Sequence, residues 1–198
     1  MKRETLTIIS NRQVNDSVWE MKLSGCSAQR PGQFVNLALD GLFLRRPISV
    51  CDWNEGVLTL LYKVVGKGTR QMAGLQEGES LDVLTTLGNG FNTAASCEKP
   101  LLVGGGIGTA PMYYLAKTLI AAGKEVSVVL GFNKADEIIY REEFEKLGAK
   151  VIIATADGSV GVKGFVTDAL PMVEYDLFYS CGPMPMFRAL EGKNLENP

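Results

Sequence analysis

An antiparallel β-barrel followed by a small doubly wound α/β domain is the fold this sequence predicts, and three observations predict it. Up to about residue 92 the chain consists of short β-rich runs separated by turn pairs. From Pro100 onward, apolar strands alternate with helix-length segments, the pattern of parallel βαβ units. Between them lies "NTAASCEKP", small and polar, which places the boundary between domains 1–97 and 98–198.

In the first half, "TLTIIS", "VWEMKL", "FVNLAL", "PISVCD" and "VLTLLYKVV" are β-branched or alternating, with Pro31-Gly32, Asp40-Gly41, Asn54-Glu55-Gly56 and Glu77-Gly78-Glu79 as punctuation. In "SVWEMKL", Trp19, Met21 and Leu23 fall on one face, Glu20 and Lys22 on the other. Strands this short at this spacing predict a closed or nearly closed barrel. One short helix, "GTRQMAGL", interrupts it.

The second half reads as a strand at "PLLVGG", a helix at "APMYYLAKTLIAAG" ending at Gly123, and a strand at "EVSVVLGF". Then follow a helix over "DEIIYREEFEKLG", a strand at "KVIIAT", a short helix near "FVTDAL" and a strand at "YDLFYSCG". After Cys181-Gly182-Pro183 the first turns of another helix begin. Leu101 to Gly123 has a membrane-spanning length and a single charge, Lys117, but Gly104, Gly105, Gly106, Gly108 and Pro111 break its first half. It reads as strand, loop and helix.

Composition excludes several function classes. The 198 residues carry a formal net charge of −2, which leaves no electrostatic footprint for nucleic acid. There is no histidine, so the chain itself supplies no Ser-His-Asp or Cys-His chemistry and no histidine metal site. A bound cofactor is then expected to carry any reaction. The four cysteines, Cys26, Cys51, Cys97 and Cys181, form no C-x-x-C pair, so neither zinc nor thioredoxin-type chemistry is expected; reduced thiols in a cytoplasmic protein fit them. No secretory signal precedes the first strand.

Five segments carry chemistry. In "RRPISVC", Arg46 stands before the fixed-φ Pro47, with Ile48 and Ser49 following on a strand: either a solvated edge or a cation aimed at phosphate with a hydroxyl nearby. "LYKVVGKGTRQM" puts Gly66, Gly68 and Thr69 between a strand and a helix start, a turn that receives an anion or is merely flexible; it is not a Walker A loop. One helix N-terminus contributes about 0.3–1 kcal/mol toward an anion, and micromolar binding needs about 8 kcal/mol. A pyrophosphate therefore needs several donors at once, and Arg46, Ser49, Lys63 and the amides of Gly68 and Thr69, beside apolar Ile48, form such a set. "LLVGGGIGTAPM" is strand, glycine run (Gly104, Gly105, Gly106, Ile107, Gly108) and helix; Thr109 replaces the last glycine of G-x-G-x-x-G, yet the turn still suits a phosphate. "LGNGF", Leu87 to Phe91, closes the barrel, and "CGPMPM" ends the last strand at the carboxyl edge, where Cys181 is either a small buried residue or the wall of a nicotinamide pocket.

Taken in order, "PGQF", "RRPIS", "LYKVVGKGT", "LGNGF", "GGGIG", "ADGSVGVKGFVTDAL" and "CGP" resemble the ferredoxin-reductase superfamily, and within it the electron transfer subunits of bacterial class 1B dihydroorotate dehydrogenases. The resemblance covers nearly the whole chain. It implies an FAD-binding barrel followed by an NAD-binding domain. Arg46 and the Gly68-Thr69 amides would hold the FAD pyrophosphate, Ser49 would approach the flavin edge, and Leu61, Tyr62 and Lys63 would line the flavin and adenosine. Ile48 stands where the superfamily usually has tyrosine, so the flavin would rest on an aliphatic wall. The loop from Gly104 to Gly108 would receive NAD, with Cys181 and Gly182 flanking the nicotinamide. Asp157, just after a strand, would repel a 2′-phosphate and so favour NAD(H).

The implied function is an oxidoreductase subunit passing electrons between FAD and NAD(H) for dihydroorotate oxidation in pyrimidine biosynthesis. Its implied partner is a catalytic, FMN-containing subunit, in a heterotetramer; no nucleic acid or membrane is expected, and the location is cytoplasmic. The family subunit continues after Cys-Gly-Pro into a cysteine-rich segment holding a [2Fe–2S] cluster, and no such segment follows here, with the partner attachment expected near Pro198. The alternatives are an NAD(P)H-dependent flavin, sulfide or ferredoxin reductase on the same scaffold, or a flavin-free regulatory relative.

Overall fold

The computed structural model describes residues 1–95 and 97–192. The expectation attached to Pro198 lies outside them. The chain divides into two compact units, Met1–Phe91 and Asn92–Pro198. The linker residues belong with the second unit, where the Tyr179 hydroxyl donates to the Asn92 carbonyl (2.7 Å).

In the first unit six antiparallel strands close a barrel: β1 (Lys2–Gln13), β2 (Val18–Ser24), β3 (Phe34–Leu37), β4 (Arg46–Asn54), β5 (Val57–Lys63) and β6 (Ser80–Leu87), in the order β1-β2-β5-β4-β3-β6. Alternation puts Leu6, Ile8, Met21, Leu23, Leu37, Leu58, Leu60 and Val83 in its core. The strand β6 is not among the five runs the sequence singles out. Asp82, Thr85 and Thr86 hide its period, yet buried Leu81, Val83 and Thr85 alternate correctly. Asp82 also locks the closure. Its carboxylate takes hydrogen bonds from Arg3 on β1 (2.8 Å) and from Arg45 (2.7 Å), which hold its pKa down to about 2.

Glu20 lies on the face opposite Met21 and Leu23, as the alternation predicts, and is itself buried. Arg12 Nε donates to it at 2.9 Å, so a partner makes burial of the charge tolerable. A short helix, α1 (Lys67–Ala73), follows β5.

The second unit is a parallel five-stranded sheet ordered β10-β9-β8-β7-β11, from β7 (Pro100–Gly105), β8 (Ser127–Phe132), β9 (Lys150–Thr155), β10 (Val162–Lys163) and β11 (Leu177–Cys181). Both faces of its central strands are buried, which explains their unbroken apolar runs. The long helix α2 (Thr109–Ala121) packs on β7, and α3 (Arg141–Leu147) on β9. Leu101, Val103 and Val129 face a core completed by Val166, Ala169, Met186 and Leu190 from α4 (Val166–Ala169) and α5 (Met184–Glu191).

The helix expected over "DEIIYREEFEKLG" is only α3 plus a 3-10 turn at Ala135–Glu137. Ile138 is extended (ψ 128°) and Tyr140 has a left-handed backbone (φ 61°), so helical hydrogen bonding cannot run through. The Leu101–Gly123 segment is β7, a turn and α2, and no helix among the described residues is long and apolar enough to cross a membrane.

Candidate functional site

In the barrel unit, β4 and α1 bring Arg46 and Gly68 together. A Cβ added to Gly68 would collide with Arg46 Nε and come within 2.8 Å of its Cζ, so the guanidinium lies directly over the first turn of α1. Only glycine permits that approach. The N–H groups of that turn have no intrahelical acceptors, and the nearby cation adds to their attraction for an anion. Arg46 Nη1 also donates to the Leu44 carbonyl (2.5 Å), which bends the side chain back along its own loop. The adjacent Arg45 is committed elsewhere, to Asp82. The register of β6 thus leaves Arg46, the arginine before Pro47, as the one beside the turn.

The Thr69 hydroxyl builds the turn. It accepts from the amides of Val65 (2.9 Å) and Gly66 (3.1 Å) and donates to the Gly66 carbonyl (3.2 Å). On β4, Pro47 is exposed, while Ile48 and Ser49 are half-buried and pair with Val35 and Phe34. On β5 the three candidate residues differ. Leu61 and Tyr62 are 2% and 1% exposed, and the Tyr62 hydroxyl donates to Asn11 Oδ1 at 2.8 Å; burial raises its pKa. Their side chains are in the packing, so any ligand contact from them runs through backbone, whereas Lys63 is exposed.

"LGNGF" is fastened to "PGQF". The Phe91 amide donates to the Pro31 carbonyl (2.8 Å), and buried Gln33 accepts from the Arg30 amide (2.8 Å) and donates to the Gly88 carbonyl (3.0 Å). The Gln33 carbonyl in turn accepts from Val50 on β4 (2.9 Å), next to Ser49.

In the second unit the chain proceeds from β7 to β8 to β9 in one direction across the sheet, then returns to the other side of β7 as β11. That reversal opens a crevice at the carboxyl ends of β7 and β11, where ligands of open parallel sheets bind. Gly104–Gly108 leaves β7 there, and Cys181-Gly182 leaves β11; Cys181 pairs with Gly104 in register. The turn is tightly packed on one side. A Cβ on Gly108 would overlap the Cys181 carbonyl and lie 2.9 Å from Gly182 Cα, and one on Gly105 would lie 2.8 Å from Met186 Sδ. On the other side it is open: Gly106 has φ +54°, a Cβ there would meet nothing within 4 Å, and Ile107 is exposed. Burial raises the Cys181 thiol pKa, which keeps it a neutral, apolar wall.

Thr109, the first residue of α2, supplies a further feature. Its hydroxyl is fully buried and has no hydrogen-bond partner among the described residues. Such a group costs about 1–3 kcal/mol unless something satisfies it. The hydroxyl lies beneath Gly104, so what the turn presents to a pyrophosphate-bearing nucleotide is the open glycine and the N-terminal dipole of a 13-residue helix.

Asp157 stands exposed just past β9, its Oδ1 accepting from the Ser159 amide (2.9 Å) and hydroxyl (2.6 Å), which hold its pKa down. Among the described residues no group of three His, Cys, Asp or Glu is placed to hold a metal.

Residues 102–192 match the oxidoreductase NAD-binding domain. The chain is 42% identical over 206 positions to the dihydroorotate dehydrogenase B (NAD(+)) electron transfer subunit of Fusobacterium nucleatum, covering 96% of this chain and 79% of that one. To the same subunit of Bacillus mycoides it is 41% identical, covering 99% and 80%. Among solved structures, an NADH-dependent reduced ferredoxin-NADP oxidoreductase, studied for flavin-based electron bifurcation, matches with a TM-score of 0.85 and 32% identity over 98% of this chain and 74% of that one. An Amycolatopsis cytochrome P450 reductase matches with a TM-score of 0.84 at 21% identity over 98% and 67%, a likeness of fold.

Proposed function

The chain belongs to the family of the dihydroorotate dehydrogenase B (NAD(+)) electron transfer subunits, and from this we propose that it is an oxidoreductase subunit that binds FAD and NAD and passes electrons between dihydroorotate oxidation and NAD. The observation that carries the reading is that each unit has its own glycine turn at a helix start, Gly68 under Arg46 and Gly106–Gly108 beside Cys181, in a chain without histidine.

In this reading the barrel unit is the FAD domain and the second unit the NAD domain, with the boundary at Phe91–Asn92, a few residues before the expected 97/98. Arg46 and the amides of Gly68 and Thr69 neutralise and orient the FAD pyrophosphate. Ile48 forms an aliphatic wall and Ser49 offers a hydroxyl to a polar ring edge, while Leu61 and Tyr62 contribute backbone and Lys63 its side chain. Gly104, Gly105 and Gly108 shape the NAD turn, and Gly106 and Ile107 border the ligand. Cys181 and Gly182 exclude water from the nicotinamide. When bound, a flavin exchanges hydride with a nicotinamide and releases electrons singly, so no protein acid or base is required.

The electrons pass to a catalytic, FMN-containing partner subunit in a heterotetramer. None of the four cysteines suits a [2Fe–2S] cluster on that route: Cys26, Cys51 and Cys97 are buried and scattered, and Cys181 belongs to the nucleotide turn. The 32% identity to a ferredoxin-NADP oxidoreductase favours a second reading, a reductase of another one-electron carrier.

The test is an anaerobic spectrum of the FAD-loaded chain before and after NADH, followed by orotate formation with the catalytic partner. The flavin band should bleach, and Arg46→Ala should weaken FAD retention by about 10-fold or more, the worth of a charged hydrogen bond. A colourless protein that refuses FAD overturns the reading; bleaching without partner-dependent orotate formation moves it to the second.

Asp157 carries the nucleotide preference. Asp157→Asn should narrow the NADH over NADPH preference by about tenfold, as expected when a charge near a 2′-phosphate is removed at a screened surface site. Equal or better turnover with NADPH by the unaltered chain defeats this assignment.

A further inference from the structure

Two loops meet at the carboxyl edge of β8 and β9, and Ser159 joins them. Past the strand ends the two segments stay hydrogen-bonded, with the Ala156 amide donating to the Phe132 carbonyl (3.0 Å) and the Asp157 amide to the Asn133 carbonyl (3.1 Å). The loop after β8 therefore lies beside the loop after β9. Ser159 Oγ accepts from the Ala135 amide of the first loop (2.8 Å) and donates to Asp157 Oδ1 in the second (2.6 Å). Its own amide gives Oδ1 a second hydrogen bond (2.9 Å).

We propose that Ser159 is a positioning residue for nucleotide selection: by bridging Ala135 and Asp157 it fixes the carboxylate that reads the adenosine ribose. This rests on the reading of the second unit as an NAD site.

The physical argument concerns direction and rigidity. Both Ser159 donors converge on one oxygen, Oδ1, which sets the plane of the carboxylate and turns its other edge away from Ser159. A carboxylate held this way selects by geometry as well as by charge: a ribose hydroxyl can donate to it, and a 2′-phosphate meets it head-on. A freely rotating carboxylate would swing aside and tolerate the phosphate. The rest of the loop supports the same frame, since Thr155 Oγ1 donates to the Val160 carbonyl (2.8 Å) and accepts from the Val160 amide (3.1 Å). On the facing loop, Asn133 Nδ2 donates to Glu137 Oε2 (2.8 Å) and Lys134 pairs with Asp136 (2.7 Å), so the charges there are held by local partners.

The test is direct titration of the full FAD-loaded chain with NADH and with NADPH, reading dissociation constants and not turnover. Ser159→Ala should weaken NADH by roughly fivefold and leave NADPH unchanged or tighter, a coupling typical of contacting side chains. Ser159→Thr keeps the hydroxyl and should restore the unaltered ratio. In an Asp157→Asn background, Ser159→Ala should no longer change the ratio, because the group it positions has lost its charge. An unchanged ratio in Ser159→Ala, equal weakening of both nucleotides, or a ratio shift that persists without Asp157 overturns the inference while the NAD reading stands. An unaltered chain that binds neither nucleotide, or binds NADPH more tightly, overturns both.

Discussion

Replacing Gly108 by alanine should weaken NADH binding by about 100-fold while leaving FAD bound. The alanine methyl would overlap the Cys181 carbonyl oxygen and stand 2.7 Å from the Cys181 carbonyl carbon and 2.9 Å from Gly182 Cα. All three are backbone atoms at the end of β11, and Cys181 is held in register with Gly104 on β7. Neither partner is the free end of a side chain, so relief requires pushing the glycine turn off the sheet edge or breaking the last pair of the ladder. Overpacking of this kind costs about 1–3 kcal/mol, and it falls on the residues assigned to the nicotinamide. Affinity for NADH should drop by about 100-fold, since the turn amides and the Cys181 wall move together. The residues proposed to hold the flavin lie in the barrel, so flavin content per chain should stay near that of the unaltered protein. NADH bleaching the bound flavin at an unchanged rate would defeat the assignment of this turn.

The same contact indicates what the sequence can and cannot disclose. The β-rich first half and the strand–helix alternation after Pro100 are legible because burial imposes a period on each element, and the glycine run after β7 is legible because a strand entering a helix through glycines has few other uses. Less legible is anything set by residues distant in sequence. The engagement of Arg45 depends on Asp82, on a strand whose threonines blur its alternation. The burial of Glu20 depends on Arg12 across a strand pair. The resemblance implies Tyr62 as a residue lining the flavin side, and the partner of its hydroxyl, Asn11, lies 51 residues away in the chain. Ser159 lies inside a segment that already marks the family resemblance, and its bridge to Ala135 exists only because β8 and β9 are adjacent and parallel. Thr109 stands out in the chain as a departure from a motif, while its unsatisfied hydroxyl requires packing to appear.

Gly90→Ala should be among the most destabilising single changes in the barrel unit. Gly90 has φ +75°, a left-handed backbone, and a Cβ there would lie 2.8 Å from the Pro31 carbonyl oxygen. That oxygen is already in use, accepting the Phe91 amide at 2.8 Å, so it cannot retreat without losing the hydrogen bond that fastens the turn. The left-handed conformation costs a non-glycine residue about 1–2 kcal/mol. The clash adds about 1–3 kcal/mol. Together, about 2–5 kcal/mol is a large share of the roughly 5–15 kcal/mol that a typical domain has. The midpoint of thermal unfolding should fall by about 10 °C or more, from the usual shift of roughly 4–8 °C per kcal/mol in a unit of this size. The effect should also reach the flavin residues. Gln33, clasped by the Arg30 amide and the Gly88 carbonyl, presents its own carbonyl to Val50 on β4, and Ser49 pairs with Phe34 beside it. Loosening the turn therefore loosens the strand that carries Arg46 to Ser49, and FAD affinity should fall along with stability, partly recovered by excess FAD because ligand binding favours the folded state. A melting midpoint within about 2 °C of the unaltered chain, less than about 1 kcal/mol on the same scale, would mean that the turn is not the fastening described here and that β4 is held by its ladder alone.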